Sequence, residues 1–270
     1  MIRKIIYISI ITLILNLGAA NAGSTDNEDL KSKSSQNSAG ECFEGLSRAM
    51  FKFNYALDGA IFEPVSKGYR SLPVGIRKGT GNVVNNLRSL LTLSNNILQG
   101  DFAQAGNTAG RFAVNSTVGI LGIFDPASHL GLKDNGKEDF GQTIGAWGTN
   151  SGCYFVLPIL GPTTARDAVG LVGNMFLDPV YQITHNTEVE NGLLGNGNYS
   201  EHNYYYYRGT GSVDFRAKNI ESFDSIEKNS IDLYASLKSL YLQNRKHKIA
   251  NSKSITETQN DGDWEEIDTN

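Results

Sequence analysis

Asp139, Phe140 and Gly141 spell the triplet with which protein kinases hold magnesium. That chemistry also requires a glycine-rich GxGxxG, a strand lysine paired to a helix glutamate, and an HRD loop. None of these companions occurs, so the triplet carries no kinase function. No GxSxG elbow is present to expose a nucleophilic serine. The four histidines (His129, His185, His202 and His247) form no HxH or HExxH pair, and no metal site is expected. KGTGN, at Lys78 to Asn82, lacks the rest of a phosphate loop and reads as a flexible start to a helix. In KDNGKED, Lys133 to Asp139, the alternating oxygen ligands and distal glutamate of a calcium loop are missing, so its acidic groups are expected to be solvated. Cys42 and Cys153 lie too far apart for a local redox or metal motif, and the residues alone leave their pairing open. The expectation is a protein that is not an enzyme and needs no cofactor.

What remains is physical rather than catalytic. From Phe140 to Ala165 the chain runs 26 residues without one charged side chain. Pro158, Pro162 and five glycines prevent this stretch from being a single spanning helix. Glycines allow close backbone packing, and apolar walls beside a few hydroxyls and amides suit an amphipathic passage or a lipid-facing surface.

The elements around it are mainly helical. Phe43, Leu46, Met50, Phe53 and Leu57 step by three and four, which predicts a helix with a broad apolar face, widened by Phe51 and Tyr55. Pro64 opens a short helix and Pro73 a long one that stops at Gly100. Asp101 is a good N-cap for the next helix, whose Ala103, Ala105, Gly106, Ala109 and Gly110 would permit close helix approach. Gly119 to Leu132 reads as a short apolar patch containing a turn. A further helix follows Thr163, with Arg166 and Asp167 as a lone structural charge pair. His185 to Ser212 is rich in Asn, Gly and Tyr without helical period and reads as a long loop or insertion. Helical signals return from Val213 to Ile249. Period-two alternation is nowhere sustained, so the fold class is mainly α with no extended sheet.

The ends bound the compartment. Arg3 and Lys4, the apolar run Ile5 to Leu17, and Ala20-Asn21-Ala22 read as a signal peptide over residues 1–22, cleaved between Ala22 and Gly23. Residues 23–40 read as a disordered linker, 41–250 as one helical domain, and 251–270 as a disordered acidic tail. The chain has 24 basic and 28 acidic residues. Removing Arg3, Lys4 and the six acids of the last 14 residues leaves a balanced body, which argues against nucleic acid as a partner.

Five stretches in order, EGLSRAMFKFN, PVSKGYRSLP, LQGDFAQAGNTAGRFAVNSTVGILGIFDPAS, EDFGQTIGAWG and YFVLPILGPTTARDAVG, resemble the MlaA (VacJ) family. The likeness covers about Glu41 to Asp178, and Val213 to Ala250 more loosely. It implies a helical, ring-like domain embedded in the periplasmic side of the outer membrane. It further implies an amphipathic channel that takes phospholipid from the outer leaflet to a soluble periplasmic carrier, in association with an outer-membrane porin trimer. On this reading Phe51, Asn54, Phe140, Gly141, Gly145, Trp147, Gly148, Tyr154 and Pro158 are the candidate channel or gating residues. The alternatives are a soluble periplasmic lipid-binding protein and a porin-associated scaffold. Three departures stand out. The lipoprotein attachment cysteine is missing, and the 185–212 stretch is more polar and tyrosine-rich than is usual. Cys42 and Cys153 stand where the family tends to carry proline, which suggests that the two form a disulfide.

Overall fold

The computed structural model describes residues 40–185 and 201–251. The expected signal segment with Ala22 and Gly23, the linker up to residue 39, residues 186–200 and the tail beyond 251 lie outside the described residues.

Helix α1, Glu44–Leu57, runs through a π turn, Asp58–Phe62, into α2, Glu63–Arg70, with Pro64 in the first turn of α2 where its missing N–H costs nothing. The long helix α3, Val74–Gln99, is bounded by Pro73 and by Gly100, whose φ of 79° closes the C-terminus in the left-handed conformation. Asp101 caps α4, Phe102–Thr117, by accepting from the Gln104 amide at 2.9 Å. A turn region then leads to the single-turn α5, Pro126–His129. The glycine segment divides into α6, Phe140–Ala146, a hairpin of β1, Tyr154–Leu157, and β2, Gly161–Thr164, and the helix α7, Ala165–Leu177. The strands are antiparallel, with Tyr154 opposite Thr164 and Leu157 opposite Gly161. Helix α8, Pro179–His185, follows α7; then come α9, Glu201–Lys218, α10, Ile220–Asn229, and α11, Leu233–Asn251. The described chain is therefore mostly helical with one two-stranded sheet.

Two expectations need correction, and the buried faces of α1 and α4 need defining. Residues 201–212 are helical, not loop: Tyr204, Gly211, Asp214 and Ala217 fall on one face of α9, and tyrosine and aspartate at those positions hid the period. The apolar stripe of α1 divides, with Met50 and Phe51 packed on the core cluster. Phe43, Leu46 and Phe53 are exposed, and the inward side carries Ser47, which is buried, with Met50, Phe51 and Asn54 half-buried. In α4 Ala105, one of the small residues expected at a helix contact, is buried together with Thr108 and Asn115, whereas a side chain at Gly106 would meet nothing within 4 Å. The acidic end of KDNGKED is not solvated: Glu138 accepts from Gln99 at 3.0 Å and Asp139 is ion-paired.

The buried faces of α1 and α4 follow from one property of the fold. Among the described residues, glycine aside, nine apolar residues and eighteen polar or charged ones are buried. Globular chains in water bury the reverse mixture. Helix α7 shows the inversion plainly. Arg166 and Asp167 are buried, whereas Val169, Val172, Met175 and Phe176 form an outward apolar stripe, with Phe176 68% exposed. The interior is held by directional bonds. Thr143 Oγ1 donates to Asn95 Oδ1 at 2.7 Å, Asn96 Nδ2 to Thr108 Oγ1 at 3.2 Å, and Asn86 Nδ2 to Ser116 Oγ at 2.9 Å. Arg111 and Asn115 both reach the Asp125 carboxylate. Each such bond contributes about 1 kcal/mol net, and a buried group left unmatched costs about as much or more. No helix among the described residues is long and apolar enough to cross a membrane.

Candidate functional site

The DFG stretch is the hub of the polar interior. Asp139 caps α6 by accepting from the Gln142 amide at 3.0 Å. Its carboxylate also receives Arg245 of α11, Nη1 at 2.6 Å and Nη2 at 3.0 Å. The same guanidinium reaches Asp167 of α7 through Nε at 3.0 Å and Nη2 at 2.8 Å, and Tyr241 donates to Asp167 at 2.6 Å. One arginine thus fastens α6, α7 and α11 by two paired contacts, the fork geometry for which arginine is suited. Burial alone would push the Asp139 carboxyl up; the hydrogen bonds and charge of Arg245 override it and hold the group at about 2. Asp167 is lowered by the same balance.

Glycine is required where these helices meet. A Cβ on Gly170 of α7 would stand 2.5 Å from the Gly141 nitrogen, and one on Gly173 2.1 Å from the Phe140 ring. A Cβ on Gly141 would strike Arg245 at 2.7 Å, and one on Gly145 would meet Ile249 at 2.8 Å. Phe140 and Trp147 meet edge to face at 6.0 Å, and the Trp147 indole donates to the Leu98 carbonyl at 3.0 Å while its ring stays exposed. Gly148 ends the helix at φ 98°.

The remaining candidates gather at the hairpin. Tyr154 is fully buried with Val156 and Tyr234, and Phe51 and Met50 of α1 pack on that cluster. Asn54 clamps the hairpin turn: its Nδ2 donates to Leu157 O at 2.8 Å, and its Oδ1 accepts from the Ile159 amide at 2.7 Å. Pro158 lies in that turn and is exposed. On the other side the start of the described chain is stitched to β1. Cys42 and Cys153 form a disulfide with a Cα–Cα distance of 5.4 Å, and Glu41 bridges to Tyr154. Lys238 of α11 pairs with Glu41 at 2.6 Å, and Tyr234 donates to the same carboxylate.

The candidate residues thus gather at two structural junctions, and none of them lines a separate apolar cavity elsewhere in the fold. That cavity, about 620 Å³, is an apolar groove between α3 and α9. Gly75, Ile76, Gly79, Thr80, Val83, Val84 and Leu87 form one wall, Tyr206, Tyr207 and Thr210 the other, and Ile123 closes one side. Ile123 follows a strained turn in which Ile120 and Leu121 take φ of 51° and 58°, left-handed values costly for a β-branched residue. The signal for this groove was the glycine spacing in the first half of α3; the tyrosine wall fell in the stretch read as loop.

A mostly helical fold with a polar, hydrogen-bonded interior and an apolar outer surface defines a protein whose exterior suits apolar surroundings. The profile of the MlaA lipoprotein family matches residues 40–248, and the chain belongs to that family. It is 30% identical over 251 residues to the intermembrane phospholipid transport system lipoprotein MlaA of Haemophilus influenzae, covering 92% of each chain. The Escherichia coli protein of the same name is 29% identical over 80% of this chain and 81% of its own length. An uncharacterised protein of Rickettsia prowazekii is 33% identical over 68% of this chain and 75% of its own. A solved structure described as the structural basis for maintenance of bacterial outer membrane lipid asymmetry superposes with a TM-score of 0.62 at 25% identity, covering 77% of this chain and 98% of that one.

Proposed function

We propose that this chain moves phospholipid at the outer membrane and so maintains lipid asymmetry between its leaflets, acting as a transport component and not as an enzyme. The observation that carries this reading is the inverted burial. An outer surface of Phe43, Leu46, Phe53, Phe102, Phe176 and similar residues is stabilised by acyl chains, at about 25 cal/mol per Å² removed from water. A polar interior beside it offers partners to a headgroup. The names of the Haemophilus and Escherichia relatives and the subject of the superposed structure support the same reading. On this proposal the body is embedded in the periplasmic side of the outer membrane. Its partners are phospholipid, a porin trimer and a soluble periplasmic lipid carrier, and Phe51, Asn54, Tyr154 and Pro158 act by setting the hairpin.

Two measurements test it. In a bacterium deleted for its own family member, the full chain should lower outer-leaflet phospholipid toward the parental level; normal expression without correction refutes transport and leaves a porin-associated scaffold. In a Trp264→Phe chain, Trp147 is the sole indole, and brominated phospholipid should quench it more than aqueous acrylamide. Recovery of the chain in the periplasm without detergent refutes embedding and favours a soluble lipid-binding protein.

A further inference from the structure

The groove between α3 and α9 has a length, a wall chemistry and charged ends. From Gly75 to Leu87 it follows α3 for twelve residues, which at 1.5 Å per residue is about 18 Å. One leaflet of a bilayer, half of the roughly 30 Å hydrocarbon core, is about 15 Å deep, so the groove is long enough for most of one acyl chain. Its walls are almost wholly apolar, and the one polar side chain on the α3 wall, Thr80, already donates to the Ile76 carbonyl at 2.9 Å.

Charge flanks the groove at both ends, and near Gly81 Lys218 is already paired with Asp214 at 2.9 Å. The two helices run antiparallel: Gly81 faces Asp214 and Lys218, and Gly211 faces Val84. The Tyr207 end of α9 therefore meets the Leu87 end of α3. There Arg88, one turn beyond Val84, and Arg208, next to Tyr207, both act electrostatically on Tyr207 and on Asp178. Both arginines are exposed, and among the described residues neither has an acidic partner within ion-pair distance. Asp178, the carboxyl on which both act, is 1% exposed and accepts from the Val180 amide at 3.0 Å, and it pairs with neither guanidinium. An apolar trough with two exposed guanidinium groups just past its end, Arg88 following Leu87 and Arg208 following Tyr207, neither held in an ion pair, is complementary to an anion carrying a hydrocarbon tail.

We propose that this groove is a phospholipid-binding site on the flank of the protein, taking one acyl chain along Gly75 to Leu87 and the lipid phosphate between Arg88 and Arg208. The assignment rests on the transport reading for its choice of lipid, and it places a lipid apart from the glycine segment and hairpin.

The test uses the full chain in vesicles of phosphatidylethanolamine and phosphatidylglycerol containing a trace of phosphatidylglycerol with a diazirine on its acyl chain. After irradiation, labelled peptides should map to residues 75–87 and 206–210. A Cβ at Gly75 would meet nothing within 4 Å, so Gly75→Phe can project its ring into the groove, and labelling there should fall several-fold. Arg88→Gln with Arg208→Gln alters exposed side chains only and should weaken labelling about tenfold, since a lost charge-assisted hydrogen bond is worth at least about 1.4 kcal/mol. The same double variant should leave labelling by a diazirine diacylglycerol, which has no phosphate, unchanged. Labelling that maps elsewhere, or that ignores both variants, overturns the site. A chain that corrects lipid asymmetry yet never labels in the groove overturns this site and spares the transport reading. One that labels there but corrects nothing supports the site and overturns that reading.

Discussion

Replacing Arg245 by methionine probes the polar hub most directly. The side chains of Arg245 and Asp167 are 12% and 6% exposed, and Asp139 is 29% exposed. Methionine keeps much of the volume but strands two carboxylates that had shared one cation. Breaking a buried pair by removing one partner costs about 3–5 kcal/mol. Here the lower figure is expected, since Asp167 keeps Arg166 and Tyr241, and Asp139 keeps the Gln142 amide. The pH dependence is the sharper signature. In the parent, Asp139 has a folded value of about 2 against an ordinary 3.8. It therefore contributes about 2 kcal/mol that is fully present above its unfolded value and is lost as pH falls toward 2. In Arg245→Met, burial and the neighbouring carboxylate raise the folded values above the unfolded ones, so the sign reverses and the variant gains stability as pH falls below neutrality. Urea unfolding followed by circular dichroism in a nonionic detergent, at about pH 7 and about pH 5, measures both effects. A loss under about 1 kcal/mol at neutral pH, or a pH profile parallel to the parent's, refutes the hub. Adding Asp139→Asn to the variant should recover much of the loss.

Three further outcomes are expected. Gly170→Ala places a methyl 2.5 Å from backbone and should cost more than about 2 kcal/mol, whereas Gly106→Ala enters open space inside a helix and should gain about 0.5–1 kcal/mol; equal shifts in the urea midpoint would defeat the packing argument. Reducing Cys42–Cys153, whose sequence separation is 111, should lower stability by about 4–5 kcal/mol, and two alkylatable thiols in the unreduced, denatured chain would show that no bond forms. Asn54→Ala removes two bonds to the hairpin turn at about 1 kcal/mol each, and should speed amide exchange at Ile159 while leaving α3 protected; loss of protection in both would mean that Asn54 supports the whole fold.

The local signals were readable because they act over one turn of chain. Pro73, Gly100 and Asp101 bound their helices by the geometry and hydrogen bonding of single residues. The hairpin escaped because each strand has only four residues. The Asp139–Arg245 contact spans 106 positions and leaves no local trace. The buried faces of α1 and α4 are not legible in the sequence for a different reason. Amphipathic reasoning assumes water outside, and the outward side chains here are apolar. Phe51 and Tyr154 pack together at the hairpin, and the groove wall at Tyr206 and Tyr207 lies in α9, whose helical period the sequence hides.

The inverted interior also changes how this sequence can drift. In most soluble proteins the core tolerates swaps among apolar residues and the surface tolerates almost anything polar. Here Asn95, Thr143, Asp125 and Arg245 each hold a partner at a fixed distance and angle, so few other side chains can replace them. Val169, Val172 and Phe176 need only remain apolar. Diverging copies should therefore keep their inner polar residues letter for letter while the outer ones interchange freely among Val, Leu, Ile, Met and Phe.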